Sequence, residues 1–131
     1  MSKLSQYYSI FSGTPVHFLE NKDFNNNMKF TQNKEGKPML LMIMGTFCGH
    51  CKESAPMYAK FALRNVDKVM CTGLIIDSSP DEKQLSSRIK SQLVPQLEGI
   101  PAFLLFDKNG NYVTMYEGPR TVEGLEEFIY K

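Results

Sequence analysis

Two cysteines, Cys48 and Cys51, stand three positions apart in the stretch TFCGHCKESAP, with Gly49 and His50 between them and Pro56 five residues on. That spacing admits three readings: a redox dithiol, half of a metal site, or two packed core residues. The apolar run MLLMIM before the pair and helix-period residues after it place a strand-to-helix junction here, so Cys48 falls at or beside a helix N-terminus. Unpaired backbone N–H groups and the positive end of the helix dipole favour a thiolate there. Such placement lowers a thiol pKa from about 8.5 to as little as about 3.5–7.5. Cys51 follows one turn later on the same face, near enough to close a disulfide across the turn. Gly49 is expected to let the backbone crowd the first turn, and His50 to set a cation beside Cys48 or hydrogen-bond its sulfur. The geometry suits a two-step exchange. Cys48, exposed, forms a mixed disulfide with a substrate, and Cys51, more buried, resolves it.

A zinc site needs two further ligands at compatible spacing. His50 lies inside the turn, Cys71 in an apolar strand, and His17 stands alone, so no metal ligand set is assigned. Phe47 and the flanking glycines mark an elbow where side chains face solvent, which disfavours inert core cysteines. The redox reading stands, and the only cofactor expected is the redox-active disulfide Cys48–Cys51 itself.

The elements that must hold this pair follow from pattern. MLLMIM reads as a strand buried on both faces, and Ala55, Tyr58, Phe61, Ala62 and Val66 mark a long amphipathic helix starting near Cys48. Residues 16–19 form a short first strand, and Asn21 or Asp23 caps a poor helix through FNNNMKFTQ. VMCTGLII, residues 69–76, is the next buried strand. SPDE starts a helix with Ser79 as cap, Pro80 at the first position and Glu82 closing a capping box; Leu85, Ile89 and Leu93 line it, and Pro95 stops it. A hairpin within AFLLFDKNGNYVTMYEG and a last helix capped by Thr121 complete the order βαβαβαββα, an α/β fold with a central mixed sheet flanked by helices. Residues 1–14 read as a polar N-terminal arm, in which Tyr7 and Tyr8 are either anchors for a partner or, as favoured here, disordered, and residues 15–131 as the domain.

At 131 residues, 42% hydrophobic and 22% charged, the chain suits one soluble domain. A formal net charge of +1 predicts no attraction to nucleic acid or membrane. The start has no signal-peptide core, and no run is long enough to span a bilayer. A cytoplasmic, monomeric protein is expected, with a virus particle or a cleaved precursor as alternative settings. Three cysteines do not make a structural disulfide framework. Cys71 reads as a small core residue, and the methionines as adaptable core filling.

These residues resemble the thioredoxin superfamily over about Pro15 to Ile129, and CGHC is similar to the active sites of protein disulfide isomerase domains. CGHCKESAP matches the dithiol, its following lysine and the helix-kinking proline, here Pro56. GIPAFLLFDKNG matches the segment holding a cis-proline, here Pro101, and YEGPRT the isomerase-type ending. The resemblance implies a thioredoxin fold and thiol–disulfide exchange with protein substrates, recycled by a reductant or oxidant partner. It implies that Phe47, Ile100 and Pro101 receive the substrate, the Ile100 backbone as an added strand, and that Arg120 approaches Cys51 and tunes it. Histidine in place of proline between the cysteines implies a more oxidising couple, near about −180 mV for isomerases against about −270 mV for thioredoxin.

Two departures stand out. Phe47 replaces the usual tryptophan. Met42 stands where relatives keep a buried acid that shuttles a proton to and from the resolving cysteine, and Gly73 aligns with that acid's lysine partner. Losing both charges together is energetically consistent, since one unpaired buried charge is costly. The expected result is slow resolution of mixed disulfides, unless solvent, His50 or another group substitutes for the missing acid. A thioredoxin-fold binding or assembly protein with weak or vestigial redox activity is the alternative, and a glutaredoxin-like enzyme a third. A solitary domain with an eroded charge pair also resembles virus-encoded thioredoxin-like proteins.

Overall fold

The computed structural model describes residues 2–130. Met1 and Lys131, the outer ends of the expected arm and domain, lie outside them. Ten elements follow one another, nine of them labelled here: α1 (Lys3–Phe11), β1 (His17–Phe18), a 3-10 turn (Asn21–Asp23), β2 (Met39–Met44), α2 (Gly49–Arg64), β3 (Met70–Ile75), α3 (Pro80–Gln92), β4 (Ala102–Phe106), β5 (Tyr112–Tyr116) and α4 (Val122–Tyr130). The strands lie in the order β1-β3-β2-β4-β5. β3 is parallel to both β1 and β2, whereas β4 is antiparallel to β2 and β5.

MLLMIM becomes β2 over its whole length, buried on both faces as its continuous apolar character predicts. Leu40, Met42 and Met44 face one core, shared with α1, α2 and α4. Met39, Leu41 and Ile43 face the other, shared with α3 and residues 19–30. Tyr58 of α2 ties helix to sheet: its hydroxyl donates to Leu40 O at 2.9 Å and Thr72 O at 2.8 Å.

The N-terminal segment departs from its reading as an arm. Residues 3–11 form α1, capped by Ser2, whose side chain accepts the Ser5 N–H. Tyr7 and Phe11, one turn apart on the same face, are buried at 0% and 4% exposure. Tyr8, half-exposed, packs its ring edge-on to Phe18. The helix expected through FNNNMKFTQ does not form. Asn25 Oδ1 instead accepts N–H groups of Asn27 and Lys29 at 2.9 and 3.0 Å, a side-chain turn that outcompetes the helical pattern. Arg88 of α3 fastens this segment through Asn21 and Asn25 carbonyls at 3.1 and 2.7 Å.

Two smaller corrections concern helix ends. Val66 lies past the end of α2 and is exposed, so the apolar stripe stops at Ala62. Ser79 caps α3 with its backbone only, because its hydroxyl engages the Glu82 carboxylate instead of an amide, and no capping box forms.

Candidate active site

Residues 45–48 carry the chain from β2 into α2, and the dithiol is built on that turn. Cys48 is the N-cap of α2, in extended backbone, and its Sγ accepts the Cys51 N–H at 3.1 Å. Sulfur thus fills the role an oxygen usually plays at a cap. A thiolate at position 48 would receive the same N–H and the helix dipole, and charge strengthens both. Cys48 and Cys51 are joined as a disulfide with Cα atoms 5.2 Å apart.

Cys48 is less open than the sequence suggests. It keeps 9% exposure, against 0% for Cys51, so the order is as expected but the margin is small. The Ile100–Pro101 segment covers it: the Ile100 carbonyl oxygen lies 3.6 Å from Cys48 Sγ. With the sulfurs joined this contact has no hydrogen, whereas a reduced Cys48 thiol can donate to that oxygen. The Ile100–Pro101 peptide bond is cis, and Pro101 is buried. Phe47, 65% exposed, stands at the rim. Phe47 and Ile100 also line a mainly apolar groove of 270 Å³ with Ile43, Ile76 and Leu97.

Three residues behave differently from expectation. His50 turns its Nδ1 to Glu53 Oε2 at 3.4 Å, both side chains being about three-quarters exposed, and makes no hydrogen bond to the Cys48 sulfur. Gly49 crowds nothing: a Cβ there would meet open space, so the glycine leaves the surface over the dithiol uncovered. Arg120 is exposed between β5 and α4 and makes no hydrogen bond or ion pair among the described residues.

The floor beneath Cys51 is apolar. Met42 is 0% exposed and shares a core with both cysteines. It pairs in register with Gly73 on β3. A Cβ on Gly73 would lie 3.1 Å from Met44 Cε and 3.2 Å from Phe18 Cε1. Phe18 and Met44 therefore fill the space in which a longer side chain would stand. No acid or lysine is available at these positions to exchange a proton with Cys51.

Gly45, Thr46 and Asp77, which sequence reasoning did not single out, shape the turn together with Tyr7, which it placed in the arm. Gly45 is tightly enclosed: a Cβ would approach the Phe47 ring to 2.8 Å and Ile100 Cδ1 to 3.1 Å. Its carbonyl accepts both the Tyr7 hydroxyl at 2.7 Å and the Cys48 N–H at 3.3 Å. The next amide, Thr46 N–H, donates to Asp77 Oδ1 at 3.0 Å, and the Thr46 hydroxyl donates to Asp77 Oδ2. Partial burial pushes the Asp77 carboxyl up, but the hydrogen bonds from Thr46 outweigh it and hold the group below its ordinary value. Only the Leu4, Tyr7, Phe11 spacing could have revealed α1 beforehand.

Cys71 is unpaired and 3% exposed, and burial pushes its thiol up to about 12, in keeping with a core residue. The described residues contain no group of three or more His, Cys, Asp or Glu placed to hold a metal ion. Nor is any described helix long and apolar enough to cross a membrane.

The chain is similar to known proteins. The family pattern described as Thioredoxin matches residues 15–131. The chain is 32% identical over 99 residues to protein disulfide-isomerase erp38 of Neurospora crassa, covering 73% of this chain and 24% of that one. It is 30% identical over 115 residues to the protein disulfide-isomerase of Gallus gallus, covering 88% and 20% respectively. The chain thus spans about a quarter or less of the length of these relatives. Among solved structures it is similar to the first thioredoxin domain of mouse protein disulfide-isomerase A4, with TM-score 0.65, 27% identity and coverage of 88% of this chain and 74% of that one. Human ERp44 gives a TM-score of 0.62 at 16% identity, covering 88% of this chain and 29% of that one, a likeness of fold alone.

Proposed function

The chain belongs to the thioredoxin family, and from that premise we propose that it exchanges disulfides with protein substrates, with Cys48 as nucleophile and Cys51 as resolver. The observation that carries this reading is the Cys48 sulfur at the N-cap of α2, bonded to Cys51 and accepting its N–H. In the reducing direction the Cys48 thiolate attacks one sulfur of a substrate disulfide. The substrate S–S bond breaks, and its other sulfur leaves as a thiolate that takes a proton from water. Cys51 then loses its proton and attacks Cys48 Sγ, releasing the second substrate thiol. The substrate gains two electrons, and the Cys48–Cys51 pair loses them. In the oxidising direction the same bonds form and break in reverse, and Cys51 is the leaving group.

The apolar floor bears on the second step. Cys51 is fully buried in a core it shares with Met42, and neither Met42 nor its strand partner Gly73 offers a base to accept its proton or an acid to return it. In the reducing direction, formation of the mixed disulfide is then fast relative to its resolution; in the oxidising direction the slowed step is formation of the mixed disulfide, in which Cys51 leaves. Phe47, Ile100 and Pro101 receive the substrate chain, and the 270 Å³ groove beside them takes an apolar side chain.

The same neutral floor favours a second reading, a binding protein of the same fold whose dithiol turns over weakly. Insulin-disulfide reduction separates the two. The oxidoreductase reading expects measurable reduction that Cys48→Ser abolishes, and a mixed disulfide that accumulates with Cys51→Ser. Equal turnover by the parent and Cys48→Ser would defeat it.

A further inference from the structure

One peptide unit next to the dithiol is held from both sides. The Gly45–Thr46 peptide offers its carbonyl to the Tyr7 hydroxyl at 2.7 Å and its amide to the Asp77 carboxylate at 3.0 Å. The same carbonyl also receives the Cys48 N–H at 3.3 Å, so this peptide directly fixes the backbone of the reacting residue. Tyr7 belongs to α1, which lies outside the family-matched residues 15–131, and Asp77 follows β3. We propose that Tyr7 is a positioning residue for Cys48: α1 and Asp77 clamp the Gly45–Thr46 peptide between them and thereby hold the Cys48 sulfur in the N-cap geometry that stabilises its thiolate. This rests on the reading of Cys48 as the nucleophile.

The parts fit the task. Tyr7 is fully buried, so its hydroxyl has no water to compete for it and its partner is a single carbonyl. Burial first, and the Asp77 carboxylate second, push its pKa up to about 12, so it stays a donor throughout the range in which thiols titrate. A Cβ at Gly45 would press on the Phe47 ring at 2.8 Å and on Ile100 Cδ1 at 3.1 Å, so the turn packs closely against both side chains. The N-cap bond from Cys51 N–H to Cys48 Sγ depends on the direction in which the turn delivers Cys48. A freed Gly45–Thr46 peptide lets that direction wander, and the thiolate loses part of its stabilisation.

The test compares Tyr7→Phe with Tyr58→Phe in the full chain. Both remove a buried hydroxyl that donates to backbone carbonyls, but only the first touches the turn. The readouts are the pH dependence of Cys48 alkylation in the reduced protein and the equilibrium with glutathione. Tyr7→Phe is expected to slow alkylation below the thiol pKa by about two- to tenfold, the span of an ordinary net hydrogen bond. It should also shift the glutathione equilibrium by a similar factor toward the disulfide. Tyr58→Phe should lower stability and leave both readouts at the parent's values. Asp77→Ala approaches the clamp from the other side and gives opposite signs for the two explanations. Loss of the clamp slows alkylation, whereas mere loss of a nearby negative charge speeds it. Parental profiles for Tyr7→Phe, or faster alkylation with Asp77→Ala, would overturn the clamp. If insulin reduction by the parent persists in that case, the oxidoreductase reading survives without it.

Discussion

Strand β2 is held at both ends by tyrosines from different helices, and the two attachments serve different ends. Near its start, Leu40 O accepts the hydroxyl of Tyr58, which bridges to Thr72 O on the neighbouring strand. Just past its finish, Gly45 O accepts the hydroxyl of Tyr7. Both tyrosines are fully buried, both contribute to the same core, and both donate to main-chain oxygen. The first bond joins elements already fixed by sheet pairing and adds stability. The second holds a turn that has no ladder to fix it and that leads into a reactive sulfur. Identical chemistry is structural at one end of the strand and functional at the other, and the flexibility of what it holds decides which.

Between the two anchors lies Met42, and a charge there is the most severe way to break the comparison. Met42→Asp places a carboxylate in an apolar site with no partner, at an expected cost of about 3–5 kcal/mol near neutral pH. Burial raises the folded-state pKa of that carboxyl above the unfolded value of about 3.9. Its protonated form is therefore tolerated below the unfolded value, and stability falls as pH rises through the folded one. Urea unfolding at pH 5 and pH 8 should show a much larger deficit at pH 8; an equal deficit would mean the site is not dry.

Next in size is Tyr58→Phe, which leaves the Leu40 and Thr72 carbonyls without their shared donor. Chemical denaturation should register a loss of about 1–3 kcal/mol, with no change in thiol reactivity. The Tyr7→Phe substitution should invert that pattern, moving reactivity more than stability. The smallest effect concerns acid. The depressed pKa of Asp77 means its contribution to stability is present above the unfolded value of about 3.9 and is lost as pH falls through the folded one. Asp77→Ala should lack that increment of acid sensitivity, visible as a shallower decline in melting temperature below pH 4.

Much of the scaffold was legible because its signals are local. Six consecutive apolar residues, too few for a typical helix, read as a strand buried on both faces, and that is what they form. Cys48 stood where a helix had to begin, and Ile-Pro at 100–101 matched a segment known to lie beside such a dithiol. What escaped depended on contacts distant in sequence. Tyr7 sits 38 residues from the carbonyl it binds, and its helix is too short and polar for its stripe of Leu4, Tyr7 and Phe11 to stand out. Gly45 looked like any elbow glycine until the Phe47 and Ile100 side chains closed on it. The asparagine run misled for a different reason: Asn25 uses its side chain against the backbone, which composition registers only as weak helix propensity. His50 reads from sequence as a cation or hydrogen-bond partner for Cys48, whereas its ring nitrogen meets the exposed carboxylate of Glu53, one turn on, at 3.4 Å.

Cys71 lies 3% exposed beneath Tyr58, its proton retained far into alkaline solution. The folded molecule therefore carries one electron-pair reservoir and no second sulfur to scramble with it. Alkylation of the reduced native protein should leave Cys71 unmodified, and unfolding should expose it. A single-couple Nernst curve follows from that silence.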